Sequence, residues 1–373
     1  MPNKVYDIYK NMEDIKLMKG NEALAEAAIR AGADAYFGYP ITPQSEVIEY
    51  LMHERPEERT GMQVLQAESE IAAIHMVYGA AGAGKKVMTS SSSPGISLKL
   101  EGVSYLAGSE LPCLIVNVVR AGPGLGTIQP GQSDYFQAVK GGGHGDYRLI
   151  VLAPSTVQEM ADFVDKGFDL AFKYRNPVMI LSDGAIGQMM EKVQLPEQKK
   201  RLTNDEIISK YGSWATTGKT KDRERNIITS LALKPEVMEK HNLHLQAKYA
   251  EVEKNEVIYE EIGCEDAEYI LVAYGTSARI CQKTAQLGAA KGIKIGIIRP
   301  ITLWPYPSQV ISDYADKVKG FLSVEMNAGQ MVEDVKLAVN GKVPVDHYGR
   351  MGGMIPTPSE VLDALEEKLI SKN

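Results

Sequence analysis

Apolar residues follow two alternating rhythms along most of this chain. Between residues 18 and 191, short runs rich in Val, Ile and Leu are separated by longer stretches with helical spacing. Residues 21–31 (NEALAEAAIRA) predict an amphipathic helix stopped by Gly32, and 35–39 predict a strand ending at Pro40. Further strands are expected at 63–66, 86–89, 112–119, 149–153 and 178–182, with helices at 70–81 and 155–172. Near-continuous apolar strands separated by helices imply a mostly parallel sheet covered on both faces, with right-handed crossovers.

The rhythm breaks at 192–262, where charge-rich segments such as KVQLPEQKKRLTNDE and KYAEVEKNEV surround one predicted helix at 235–253. This stretch reads as a charged interdomain arm, or as a solvated linker. Alternation resumes at 263–373. Strands are expected at 269–275, 293–298, 321–324 and 343–346, and helices at 277–291, 330–339 and 358–369. A second, smaller α/β domain follows from that pattern. Residues 1–17 are mostly polar and read as an N-terminal extension without the apolar core of a signal peptide.

Composition narrows the functional classes. Hydrophobic residues make up 44% and charged residues 24% of 373, which is enough to build cores without staples. The net charge of −7 argues against a nucleic-acid partner, which needs a basic face. No apolar run is long enough to cross a membrane. Three scattered cysteines, Cys113, Cys264 and Cys281, form no CxxC pair, so neither a zinc site nor an iron–sulfur cluster is expected within the chain, and a reduced, cytoplasmic compartment fits.

Three segments carry candidate chemistry. In Gly38-Tyr39-Pro40-Ile41-Thr42-Pro43-Gln44, two prolines stiffen the backbone around Ile41 and Thr42 where a strand gives way to a helix. Thr42 either caps that helix or offers its hydroxyl at the carboxyl end of a strand, where parallel sheets bind ligands. In Gln66-Ala67-Glu68-Ser69-Glu70, acidic residues open an Ala-rich helix; Glu68 and Glu70 serve the helix dipole or carry a function. In Asn117-Val118-Val119-Arg120-Ala121-Gly122-Pro123-Gly124-Leu125-Gly126, Arg120 follows a strongly apolar strand and is suited to gripping a carboxylate. The glycines after it do not match a dinucleotide fingerprint, which disfavours a nucleotide-binding dehydrogenase. Weaker candidates are the TSSSS run at 89–93, which either caps a helix or faces a cofactor, and His144 in GGGHGD; His75 reads as a packed core histidine.

YPITP, then ESE opening a small-residue helix with Gly79 nine residues after Glu70, resembles the 2-oxoacid:ferredoxin oxidoreductases. YGTSAR, IRPITLWPYP and SVEMNAGQM extend the resemblance to that family's transketolase C-terminal-like domain. The resemblance implies an alpha-type subunit with a thiamine pyrimidine-binding fold at 18–191. It implies that Glu70 bonds N1′ of the aminopyrimidine, that Pro40 and Ile41 line the cofactor, and that Thr42 and Arg120 hold the 2-oxoacid. A carboxyl in an apolar pocket can share a proton there near neutral pH. The Gly-Asp-Gly site for diphosphate and Mg²⁺ is missing, since Ser182-Asp183-Gly184 lacks the first glycine. The resemblance therefore implies a divided enzyme. A beta-type subunit would hold the diphosphate and Mg²⁺, with a gamma-type subunit and a ferredoxin-like iron–sulfur subunit beside it. Ferredoxin, coenzyme A and a 2-oxoacid would be its other partners. The wording YPITPQSE, SSSSPGISL and GGGHGDYRLIVLAP is most similar to the branched-chain type acting on 3-methyl-2-oxobutanoate; 2-oxoglutarate or pyruvate are the alternatives, and a non-catalytic scaffold is the rival of another class.

Overall fold

The Val- and Ile-rich runs pair side by side, as their burial demands. The computed structural model describes residues 15–221 and 223–371, so most of the 1–17 extension lies outside the described residues. In chain order the strands are β1 (Ile15–Lys19), β2 (Ala35–Gly38), β3 (Gln63–Gln66), β4 (Val87–Ser91), β5 (Cys113–Val119), β6 (Ile150–Leu152), β7 (Pro177–Asp183), β8 (Met190–Gln194), β9 (Tyr259–Ile262), β10 (Tyr269–Val272), β11 (Ile295–Pro300), β12 (Thr302–Trp304), β13 (Gly320–Glu325) and β14 (Val345–Gly349).

The first sheet has the order β12-β6-β7-β5-β4-β2-β3, parallel throughout except for β12. Its central strands are wholly buried, β5 and β7 along their entire length. The chain runs outward from β2 to β3, then returns through the helix Glu70–Gly82 to lay β4 on the other side of β2. That reversal is a topological switch point, the place where open parallel sheets bind ligands. It sets the ends of β3, β2, β4 and β5 next to one another. The helix Pro94–Gly108, between β4 and β5, packs on the Glu70 helix. Gly102 makes this close approach possible, because a Cβ there would lie 2.6 Å from Ile74 Cγ2.

The second sheet, β14-β13-β10-β11-β9, is parallel except for its edge strand β9. Its own apolar core gathers Leu271, Ile297, Leu322, Val361 and Leu365. The expected mixed α/β class, a parallel-sheet domain followed by a smaller one, is what the chain forms. The strand expected at 293–298 runs further. Arg299 and Pro300 complete β11, paired with Glu260 and Tyr259 of β9. Trp304 then enters β12, which leaves the second sheet and adds to the first beside β6. The indole packs edge-on to Tyr249 of the helix Pro235–Asn255.

Residues 192–262 lie against the first sheet's body through ionic contacts. Arg201 donates from Nε and Nη2 to Asp34, Lys248 meets Glu110 at 3.2 Å, and Glu256 takes both Lys173 and the Tyr174 hydroxyl. The charges that look like solvated faces in sequence thus fasten this segment. Among the described residues, no helix is long and apolar enough to cross a membrane.

A candidate active site at the strand ends

Glu70 opens its helix because Ser69 caps it, the Ser69 hydroxyl accepting from Ala72 N–H at 3.2 Å. This frees Glu70 from the capping role. Its side chain turns inward and is 7% exposed, whereas Glu68 points to solvent. Among the described residues, no hydrogen bond reaches the Glu70 carboxyl. Gly95 of the neighbouring helix comes against it; a Cβ there would lie 2.8 Å from Glu70 Oε1 and 2.1 Å from Ser91 Oγ. The Ser91 and Ser92 hydroxyls are buried without hydrogen-bond partners. A buried carboxyl beside two orphaned hydroxyls and a glycine cradle suits a polar heterocycle with donors and acceptors on its edge.

The loop after β2 is held from beneath. Gln44 is fully buried, its Nε2 donating to Tyr39 O at 3.2 Å and its Oε1 accepting the Ser90 hydroxyl at 2.5 Å. Tyr36 OH joins Ser90 Oγ at 2.7 Å. Gln44 also occupies the N-cap position of the helix Ser45–Glu54, so the capping role considered for Thr42 does not hold. Thr42 is exposed, and Pro40 and Ile41 are half-buried beside it.

Arg120 is 6% exposed. Its Nη1 donates to Thr42 O at 3.0 Å and its Nη2 to Leu125 O at 2.8 Å, so the guanidinium bridges two candidate loops through their backbone carbonyls. Nε is buried without a partner. With five N–H donors and two bonds made, the guanidinium keeps donors for an anion. Ser93 braces Arg120 from behind, its Oγ exchanging hydrogen bonds with Arg120 N and O. Ser93 has φ 27°, a left-handed strain that Asn117 Oδ1 helps to hold by accepting its N–H at 3.1 Å. The Asn117 amide in turn donates to Asp134 at 2.9 Å. Burial pushes the Asp134 carboxyl above its ordinary range against the bonds it accepts. Ser93, Pro94, Ala121, Asp134, Met326 and Asn327 line a cleft of about 720 Å³ between the two sheets' bodies.

The structure therefore brings Glu70, Pro40, Ile41, Thr42 and Arg120 to adjoining strand ends. Other candidates fall away from them. His75 is exposed, correcting its reading as a core residue; it lies on the outer face of its helix, edge-on to Tyr105. His144 lines a separate apolar cavity with Tyr105 and His241. The Asp183 carboxylate is engaged by Ala185 N, Ile186 N, Thr276 N and the Thr276 hydroxyl. Gln44 and Lys99 escaped the sequence reading, since nothing in their spacing separates them from ordinary loop and helix residues, whereas Ser93 belongs to the 89–93 run considered above.

The model of the pyruvate flavodoxin/ferredoxin oxidoreductase thiamine diphosphate-binding domain matches residues 26–261, and that of pyruvate:ferredoxin oxidoreductase core domain II matches 267–361. The chain belongs to this family. It is 51% identical over 352 residues to ketoisovalerate oxidoreductase subunit VorB of Methanothermobacter marburgensis, covering 94% of this chain and 97% of that one. It is 35% identical over 357 residues to 2-oxoglutarate synthase subunit KorA of Archaeoglobus fulgidus, covering 95% and 100%. Among solved structures it is similar to 2-oxoglutarate:ferredoxin oxidoreductase from Magnetococcus marinus, with a TM-score of 0.79 and 29% identity over 95% of this chain. The chain spans 65% of the length of that one. A split-gene transketolase shares the fold at a TM-score of 0.58 and 13% identity. The family resemblance read from YPITP and ESE is borne out, and with it the class: a thiamine diphosphate-dependent oxidoreductase subunit.

Proposed function

We propose that this chain supplies the aminopyrimidine side of a thiamine diphosphate site in an enzyme oxidising 3-methyl-2-oxobutanoate. The 2-oxoacid loses CO₂, its acyl carbon passes to the sulfur of coenzyme A, and two electrons go to ferredoxin as a proton is released. One observation carries the reading: Glu70 is buried at the strand ends that carry loops 39–45 and 120–132 and the helix start at 92–98, and the one charged side chain in these segments is Arg120. A 2-oxoacid with one carboxylate and an aliphatic tail matches one cation in these segments. A second carboxylate, as in 2-oxoglutarate, finds no further cation in these loops. The 51% identity to a ketoisovalerate oxidoreductase subunit supports the same substrate.

Thiamine diphosphate supplies the nucleophilic carbon that a 2-oxoacid carbonyl needs before it can release CO₂. In this chain, Glu70 would hold N1′ of the aminopyrimidine by sharing its carboxyl proton with that nitrogen, while Pro40 and Ile41 would shield that contact from water. Arg120 orients the substrate carboxylate with its remaining N–H donors, and the Thr42 hydroxyl adds a hydrogen bond. With Asp183 committed to helix ends, the diphosphate and Mg²⁺ fall to a beta-type partner. A gamma-type subunit and a ferredoxin-like iron–sulfur subunit complete the complex. Its place is the reducing cytoplasm, where Cys113, Cys264 and Cys281 stay free and buried.

The test is Glu70→Gln in the reconstituted complex. Turnover should fall roughly a hundredfold or more, the scale of lost acid–base help. Unchanged turnover ends the reading. A substrate panel should rank 3-methyl-2-oxobutanoate above pyruvate and 2-oxoglutarate in kcat/KM, and a preference for 2-oxoglutarate would overturn the substrate.

A further inference from the structure

Lys99 lies in the Pro94–Gly108 helix and is 0% exposed, in an interior where lysine is almost never left without a charged companion. Its Nζ donates to Thr89 Oγ1 at 2.5 Å and to Ser90 O at 3.1 Å, both on β4 and both uncharged. Its place along the helix is set by two glycines. Gly95, four residues earlier on the same face, lies against the Glu70 carboxyl, and Gly102, three residues later, lies against Ile74 one turn along the Glu70 helix. Lys99 is thus enclosed between these two contacts, behind Glu70. The groups bonded to it are Thr89 and Ser90 from β4 and, through Ser90, Tyr36 of β2 and Gln44, while Glu70 sits on the helix packed against its own. Glu70 is the charged group among them that acts on it. The other nearby cation, Arg120, is turned to the carbonyls of Thr42 and Leu125.

We propose that Lys99 is a positioning residue for the thiamine diphosphate reaction, the interior cation that steadies the buried Glu70 carboxyl against the aminopyrimidine. The inference rests on the assignment of Glu70 given above. A carboxylate moved out of water needs a compensating charge, and a charged acceptor makes the stronger hydrogen bond. Burial pulls the Lys99 ammonium down to about 7, against the attraction of Glu70. Its charge is therefore present below neutral pH and lost above it. Coenzyme affinity should follow that charge.

The experiment uses the assembled complex stripped of coenzyme, with thiamine diphosphate affinity measured by calorimetry from about pH 6 to pH 9. The wild type should weaken about tenfold as pH rises through the Lys99 titration, a change equal to one pKa unit. Lys99→Met should bind about tenfold more weakly at the acid end and lose the neutral step. Lys99→Arg keeps its charge at every pH, so it should restore acid-end affinity and also lack the step. A Lys99→Met complex with wild-type affinity and wild-type pH profile overturns the inference. If Lys99→Met does not assemble, [ε-¹³C]lysine NMR of the full chain decides. Glu70→Gln should move the Lys99 titration downward, because the attraction that holds it up is gone, and an unmoved titration overturns the proposal. The two readings separate cleanly. Normal turnover in Glu70→Gln ends the assignment of Glu70, whereas a crippled Glu70→Gln beside an unaffected Lys99→Met ends only the role of Lys99.

Discussion

Gly95→Ala puts stability and geometry in opposition. In the first turn of a helix, alanine in place of glycine ordinarily stabilises by about 0.5–1 kcal/mol. Here the new Cβ would stand 2.1 Å from Ser91 Oγ and 2.8 Å from Glu70 Oε1. Both neighbours end in movable atoms, so relief costs about 1–3 kcal/mol, as overpacking typically does. The net loss is small, about 0–2 kcal/mol, or several degrees in Tm at most for a protein of this size. Glu70 Oε1 must nevertheless retreat by about half an ångström to reach ordinary contact. Displacement on the order of 1 Å can cost about a hundredfold in rate. The expected variant is therefore folded, nearly as stable as the wild type, and slow. Gly102→Ala is its control, on the same face of the same helix. There the Cβ would meet Ile74 Cγ2 at 2.6 Å and Cγ1 at 2.8 Å, away from the carboxyl. It should lose about 1–3 kcal/mol by thermal denaturation yet keep its turnover per folded complex. Full activity in Gly95→Ala, or equal loss of activity in both variants, would refute the idea that Gly95 sets the place of the Glu70 carboxyl.

The link between the two sheets should weaken in acid. Burial works to raise the Glu159 carboxyl, but the two hydrogen bonds from Arg299 and its charge outweigh it and hold Glu159 below its usual value of 4.5. For a depressed carboxyl the stabilisation is complete above that value and drains as pH falls through the folded one; urea midpoints should fall on acidification in the wild type and stay flatter in Glu159→Gln. Arg299→Met leaves Glu159 and the nearby Glu260 without their cation and should cost on the order of 3 kcal/mol in denaturant melts. Asp183→Ala removes the acceptor for two helix starts, Ala185 and Ile186 on one side and Thr276 on the other, and should destabilise by about 2–3 kcal/mol without abolishing coenzyme binding, which calorimetry can check. Arg120→Lys keeps the charge but loses the planar fork, so the KM for the 2-oxoacid should rise roughly tenfold or more in steady-state assays while coenzyme affinity holds.

The mostly apolar strands, such as β5 and β7, were legible because a run with few polar breaks has to be buried on both faces. The short edge elements were not. β1, β8 and β9 carry exposed, mixed residues whose pairing is decided by tertiary contacts, and their pattern is that of a loop. β12 was missed for a related reason: three residues cannot declare a strand, still less that they join a different sheet from their neighbours. Within the site, Glu70 and Arg120 were visible because each is a charge at the end of an apolar run. Gln44 and Lys99 were invisible for the opposite reason. A buried polar residue is recognised by the partners that satisfy it, and Ser90, Thr89 and Tyr39 are brought to them only by folding. His75 shows the converse error: it sits in an apolar helix, yet its own face of that helix is turned outward.

The second domain grips the loop that carries Arg120 through Gln132. The loop that carries Arg120 leaves β5 and runs to Gln132, and its near end is fixed by Ser93 and by the bridge of Arg120 to Thr42 and Leu125. Its far end is fixed by the second domain. Gln132 donates from Nε2 to Tyr274 O at 2.9 Å, and its Oε1 accepts from Ser277 Oγ at 2.8 Å and Met326 N at 2.9 Å. Its backbone N–H bonds Met326 O, and its carbonyl takes the Asn327 amide at 2.8 Å. Tight folding between these anchors needs Gly126, whose φ is +63° and whose Cβ would fall 2.0 Å from Ala121 O. A loop pinned at both ends has little entropy left to lose, so in the role proposed for Arg120 a substrate carboxylate would not have to order that backbone. The smaller domain need contribute no reacting group to matter for the reaction. By holding Gln132 through Met326 and Asn327, the segment SVEMNAGQM, far from Arg120 in sequence, fixes the loop on which Arg120 stands.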